Sequence, residues 1–173
     1  MKGATKTILT SVIALTLIGA VATAALAGTN ALTADRIAQN NEATATAARQ
    51  TVIEADSFEA RTLTADGEEI AYHAALKGGE TVGYVFSVAS RGKSAGLVVM
   101  TGVAIDGTIT GVTVTEDNET AGYVDKVEKG GLFDALGGKT STDGVDTVSQ
   151  ATKTSKGILQ GVKQALAYYE QVK

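Results

Sequence analysis

Between Thr7 and Asn30 the chain carries no charged residue, and this run limits what the chain can fold into more than any other feature. It holds Ile8, Leu9, Val12, Ile13, Leu15, Leu17, Ile18, Val21 and Leu26. About 20 apolar residues in a row suffice to cross the roughly 30 Å hydrocarbon core of a bilayer as one helix. Lys2 and Lys6 precede the run. That placement favours a cytoplasmic N-terminus and puts the rest of the chain outside the cytoplasm. A cleaved signal peptide is the alternative, with Ala25-Leu26-Ala27 as an A-x-A site. The length and continuity of the run favour a retained anchor over residues 1–30. Gly19, Ala20, Ala22, Ala24 and Ala25 suit close helix contact, so partners in the membrane are expected.

The remaining residues are enough for one globular core. At 44% hydrophobic the chain is not of the disordered type. The net charge of −4 comes without a basic stripe, which excludes a nucleic-acid binder. Cysteine is absent and His73 is the one histidine. Disulfides, thiolate zinc sites, iron–sulfur ligation and histidine metal clusters are therefore excluded. Glu116, Asp117 and Glu119 lack the spacing of a calcium loop, so no metal is expected. His73 reads as an ordinary residue of a strand. Any redox role must use an organic cofactor or tyrosine.

Residues 31–55 mix helix formers with polar residues and contain no aromatic, which predicts an exposed helical stalk. Strand signals follow at 69–76, 82–89, 97–105 and 108–115, rich in β-branched and aromatic residues. Gly78-Gly79 and Asp106-Gly107 are turn dipeptides. In 108–115 strict alternation puts Ile109, Gly111, Thr113 and Thr115 on one face and the valines on the other. Short helices are expected at 123–129 and 132–136. From about Thr154 to Val172, Ile158, Val162, Ala165, Leu166 and Tyr169 recur every three or four residues and make one apolar stripe. The fold class is α+β: an antiparallel meander of three or four strands with packed helices, behind an N-terminal transmembrane helix and a stalk. The globular domain is expected over 56–173.

Asp146-Thr147-Val148-Ser149-Gln150-Ala151-Thr152, followed by Lys153, Thr154 and Ser155, is the strongest chemical signal. Thr152 sits at the entry to the last helix, where the first N–H groups have no internal partner and the helix dipole favours an anion. Lys153 and Lys156 add positive charge nearby. Small Ser149 and Ala151 leave room. Hydroxyl residues before a helix are also common N-caps, and Thr154 or Ser155 would serve as well as Thr152. A second block is Asp117-Asn118-Glu119-Thr120-Ala121-Gly122-Tyr123.

The first block resembles the flavinylation motif D-x-x-S/T-G-A-T of the FMN-binding domain family. The second resembles that family's E-T-P-G segment. Gln150 stands where the motif has glycine, Ala121 where the segment has proline, and Tyr123 where a small or aliphatic residue is usual. Arg91-Gly92-Lys93 to Gly96 and Gly102 to Gly107 are looser matches, so the likeness runs from about Tyr84 to Ala167. It implies FMN held covalently, as a phosphoester on Thr152. Ser149, Gln150, Ala151, Lys153, Glu119, Thr120, Ala121 and Gly122 would line the cofactor. Glu119 would oppose an anionic reduced ring as a carboxylate, or donate to the ring as an acid.

Anchor and stalk together resemble one subgroup: the G subunit of the Rnf ion-translocating ferredoxin:NAD oxidoreductase complex and its relative, the C subunit of the sodium-pumping NADH:quinone oxidoreductase. That likeness implies an electron-transfer subunit of a membrane complex, with the other membrane subunits of a redox-driven ion pump as partners. A separate flavin transferase using FAD would be needed, since the chain has no P-loop or nucleophile–base pair of its own. It would be a redox subunit rather than a stand-alone enzyme. The rival readings are an anchored or secreted non-redox module, and an FMN domain of another extracytoplasmic electron chain.

Overall fold

The computed structural model describes residues 2–65 and 67–173, and the side chains of all these except 2–11, 14 and 31–41. The chain divides into two compact units, Met1–Thr44 and Ala45–Lys173. One helix, α1 (Lys2–Val52), starts in the first and ends in the second. No proline is available to end or kink it.

In the first unit Val12, Ile13, Leu15, Leu17, Ile18, Val21 and Leu26 are 55–73% exposed. The hydroxyls of Thr16, Thr23 and Thr29 donate to the carbonyls of Val12, Gly19 and Ala25 at 2.8–2.9 Å, folding each polar group back onto its own helix. The expected anchor includes the side chains of 7–11 and 14, and the expected stalk those of 31–41; all of these lie outside the described residues. Among the described residues no helix is long and apolar enough to cross a membrane.

The second unit is α+β. Strands β1 (Ser57–Ala65), β2 (Glu68–Lys77), β3 (Glu80–Arg91), β4 (Ala95–Ala104) and β5 (Ile109–Glu116) pair antiparallel in sequence order. The meander thus has five strands, one more than the sequence pattern suggested. The extra strand is β1. Its Glu59 and Arg61 face solvent, and most of its residues are exposed. An edge strand with both faces wet shows no alternation to read. Gly78 and Gly79, at φ 62° and 86°, close the β2–β3 hairpin as a two-residue turn.

Helices α2 (Tyr123–Lys129), α3 (Leu132–Leu136) and α4 (Thr152–Val172) complete the unit. The stripe of α4 buries Ile158, Val162, Ala165 and Tyr169 against the sheet, with Leu166 half-buried beside them. Leu97, Val99, Val112, Val127, Leu132 and Leu136 fill the same core. Gly161 lets the helix approach: a Cβ there would lie 2.8 Å from Val99. The opposite face packs on the end of α1, where Val52, Ile53 and Ala55 join Ala75, Val85 and Met100. Gly83 and Gly111 make room for that contact; a Cβ on Gly111 would meet Val52 Cα at 2.8 Å.

One facing differs from simple alternation. Val103 pairs with Ile109 but Gly102 pairs with Gly111, so Thr110 is an extra, bulged residue. The bulge turns Ile109 to the side of Val112 and Val114, in the α4 core, away from Gly111. It also aims the Thr110 hydroxyl at Val52 O, 2.5 Å away. A period-two pattern flips at any inserted residue, and nothing in Thr108–Thr115 marks the insertion.

Candidate functional site

The motif loop is built by a turn and a staple. Ala151 N–H donates to Val148 O at 3.1 Å, closing a β-turn whose third residue is Gln150. Gln150 has φ 66°, and it is the one non-glycine residue at positive φ among the described residues. A turn of this kind asks for glycine at that position. The departure from the family motif therefore falls where the backbone is left-handed. Ser155 staples the turn to the helix: its hydroxyl donates to Ala151 O at 3.0 Å and accepts from Val148 N–H at 3.1 Å. Val148 also packs into the space above Gly130, at the end of α2.

Helical phase then sorts the side chains. Thr154 and Ser155 are fully buried, while Thr152, Lys153 and Lys156 are exposed to solvent. The N-cap is Ala151, which has no side chain to cap with. The sequence offered Thr154 or Ser155 as the cap; both lie inside the first turn instead, and their hydroxyls face the interior. The opening N–H groups of a long helix are thus left without a side-chain cap. No acidic residue occupies the first turn. No hydrogen bond among the described residues engages the Thr152 hydroxyl.

A pocket of about 300 Å³ opens at this point, lined by Lys93, Tyr123, Gln150, Ala151, Thr152, Lys153 and Thr154. Lys93 Nζ lies 4.7 Å from the centre of the Tyr123 ring and Lys126 Nζ 5.4 Å. Both ammonium groups are attracted by the π-system of one ring, so positive charge gathers beside Thr152 and Lys153. Lys93 comes from the β3–β4 turn and Tyr123 from the start of α2. The loose basic-Gly match and the aromatic departure both hinted at these two residues, and only the fold brings them together.

Among the expected site residues, Thr152, Gln150, Ala151 and Lys153 line the pocket. Ser149 is exposed on the turn beside it. Glu119, Thr120, Ala121 and Gly122 are not part of the lining. Thr120 O accepts from Tyr123 N–H at 3.2 Å, and Gly122 opens α2 at φ 84°, so this segment delivers Tyr123 to the pocket. The Glu119 carboxylate accepts from Ser94 N–H at 2.9 Å and from the Thr154 hydroxyl at 3.0 Å. His73 lies half-buried in mid-strand on β2 and takes no part in the lining.

An uncapped helix start, converging lysines and an open hydroxyl suit a phosphate ester. Residues 92–167 match the FMN-binding domain family, and residues 1–52 match the RnfG N-terminal region. The chain thus carries an FMN-binding domain. It is 34% identical to the G subunit of the Na(+)-translocating ferredoxin:NAD(+) oxidoreductase complex of Acetobacterium woodii, over 90% of this chain and 88% of that one. It is 29% identical to the G subunit of the ion-translocating oxidoreductase complex of Vibrio atlanticus, over 86% of this chain and 84% of that one. The G subunit of a proton-translocating ferredoxin:NAD(+) oxidoreductase complex from Clostridium ljungdahlii is 31% identical over 55% of this chain and 57% of its own. The chain belongs to the G-subunit family of ion-translocating oxidoreductase complexes.

Proposed function

We propose that this chain is the electron-transfer subunit of an ion-translocating ferredoxin:NAD oxidoreductase complex, with FMN held outside the cytoplasm as a phosphoester on Thr152. The carrying observation is the exposed, unengaged Thr152 hydroxyl on an uncapped helix start, at the mouth of a lysine-lined pocket. The residues fit the group. An anion at an exposed helix N-terminus gains roughly 0.3–1 kcal/mol from the dipole. Lys93 and Lys153 supply the countercharge a phosphodiester needs, and the Tyr123 ring offers an apolar wall. When bound, FMN supplies one- and two-electron transfer; the chain positions it and shapes its surroundings.

Attachment requires a separate flavin transferase. Thr152 Oγ bonds to the phosphorus of the FMN half of FAD, AMP leaves, and the hydroxyl proton passes to a base of the transferase. The first unit serves as a single-pass anchor with its N-terminus in the cytoplasm. Its open apolar side chains and self-satisfied threonine hydroxyls are what a lipid-facing helix needs. The other subunits of the complex would meet it in the membrane. The relatives' names carry sodium in one case and protons in another, so the coupling ion belongs to the complex rather than to this site.

The test is intact mass and in-gel flavin fluorescence after expression with a flavin transferase. Wild type gains one FMN that survives denaturation, and Thr152→Ala gains none. Wild type left unmodified beside a modified control substrate would sink the covalent reading.

A further inference from the structure

Two hydroxyl residues, Thr152 and Thr154, line one pocket. We propose that Glu119 decides between them: it is the positioning residue that withholds Thr154 and sets Lys93 over Thr152. This rests on the reading of Thr152 as the FMN acceptor. Both carboxylate oxygens of Glu119 are committed to protein donors. Oε1 accepts from Ser94 N–H at 2.9 Å and Oε2 from Thr154 Oγ1 at 3.0 Å. One side chain thereby joins the turn at 91–95 to the opening turn of α4.

The neighbours are shaped to admit this clamp. A Cβ on Gly92 would lie 2.5 Å from Glu119 Oε1 and 3.1 Å from Thr154 Cα. A Cβ on Gly157 would lie 2.8 Å from Arg91 O and from Gly92. Ser90 Oγ donates to Gly157 O at 2.8 Å, so the turn and the helix meet closely at their backbones. Lys93 sits between Gly92, whose missing Cβ leaves room for the Glu119 carboxylate, and Ser94, whose N–H donates to it. The hydroxyl proton of Thr154 is engaged and its side chain is fully buried, so it neither caps the helix nor meets a phosphate. Lys93 is held on the pocket side, against Tyr123. Glu119 acts through Thr154 and the turn, without touching flavin.

The experiment follows flavin transfer from FAD onto the full chain by peptide mass mapping, with initial rates and melting curves. In wild type all flavin maps to residue 152. Glu119→Ala lowers the initial rate at least tenfold. Combined with Thr152→Ala it places flavin on residue 154, where Thr152→Ala alone places none. A merely structural loss could not create that new product. Thr154→Val lowers the rate by removing the same bond from the other side, and it carries the test should Glu119→Ala not fold. Flavin loaded on Glu119→Gln keeps the wild-type reduction potential. Transfer to Glu119→Ala at the wild-type rate, or an empty residue 154 in the double variant, overturns the proposal while leaving Thr152 as acceptor. A shifted potential in Glu119→Gln also overturns it, by putting the carboxylate at the ring. Wild type without flavin overturns both readings together.

Discussion

The two ends of α4 obey different rules. Its C-terminal half follows the local grammar of a helix on a sheet. Val162, Ala165 and Tyr169 are buried in phase, and the Tyr169 hydroxyl donates to Ile105 O at 2.7 Å. Gly107 takes the positive φ of the hairpin that meets Tyr169. Its N-terminal end breaks that grammar. A glutamine holds a positive φ, an alanine stands at the cap, and buried hydroxyls point inward. A sequence chosen for stability alone would put glycine at Gln150 and a capping side chain at Ala151. The violations leave amide groups and the Thr152 hydroxyl open on one surface. Local rules are broken where the proposed phosphoester would complete the structure.

This contrast makes the two ends separable by mutation. The largest effect is expected in the middle of the helix, where its buried stripe begins. Ile158→Ala should cost about 2–5 kcal/mol of stability, read by chemical denaturation, yet leave flavin per folded molecule unchanged. Loss of flavin in proportion to something other than unfolding would erase the distinction between the ends. Tyr169→Phe removes one hydrogen bond and should cost about 1 kcal/mol, again without affecting attachment.

At the other end the sign reverses. Gln150→Gly relieves a left-handed residue and should stabilise by about 0.5–1 kcal/mol, after allowing for the greater freedom of glycine when unfolded. Flavin transfer should also speed up. A less stable Gln150→Gly would mean that the glutamine side chain contributes more than its backbone costs.

The smallest effect is electrostatic and belongs to the last turn. Glu170, 2.5 Å from Lys173, raises the lysine's pKa through their hydrogen bond. The folded value exceeds the unfolded one. The contribution is therefore complete below the ordinary lysine value and disappears as pH rises through the raised one. Helical Cα shifts of Glu170–Val172 should weaken over that alkaline window and not below it. Glu170→Gln should remove the dependence; a dependence that persists would assign it elsewhere.

Elements with strong local signals were legible before any contact was known. The β-former runs of β2 to β5, the glycine turns and the stripe of α4 each depend on neighbours within one turn or one hairpin. The acceptor candidate Thr152 was legible too, through the motif around it. Other features needed the folded chain. β1 is held mainly by its pairing with β2, since only Phe58, Leu63 and Ala65 of its residues reach the core. The face of Ile109 depends on the bulge at Thr110, whose hydroxyl is held by Val52 at the end of α1. Lys93, Glu119, Tyr123 and Thr154 lie on separate segments. No spacing along the chain announces that the Glu119 carboxylate reaches Thr154, or that Lys93 meets Tyr123 across a pocket. Side-chain contacts between distant segments exist only after the backbone has closed around them.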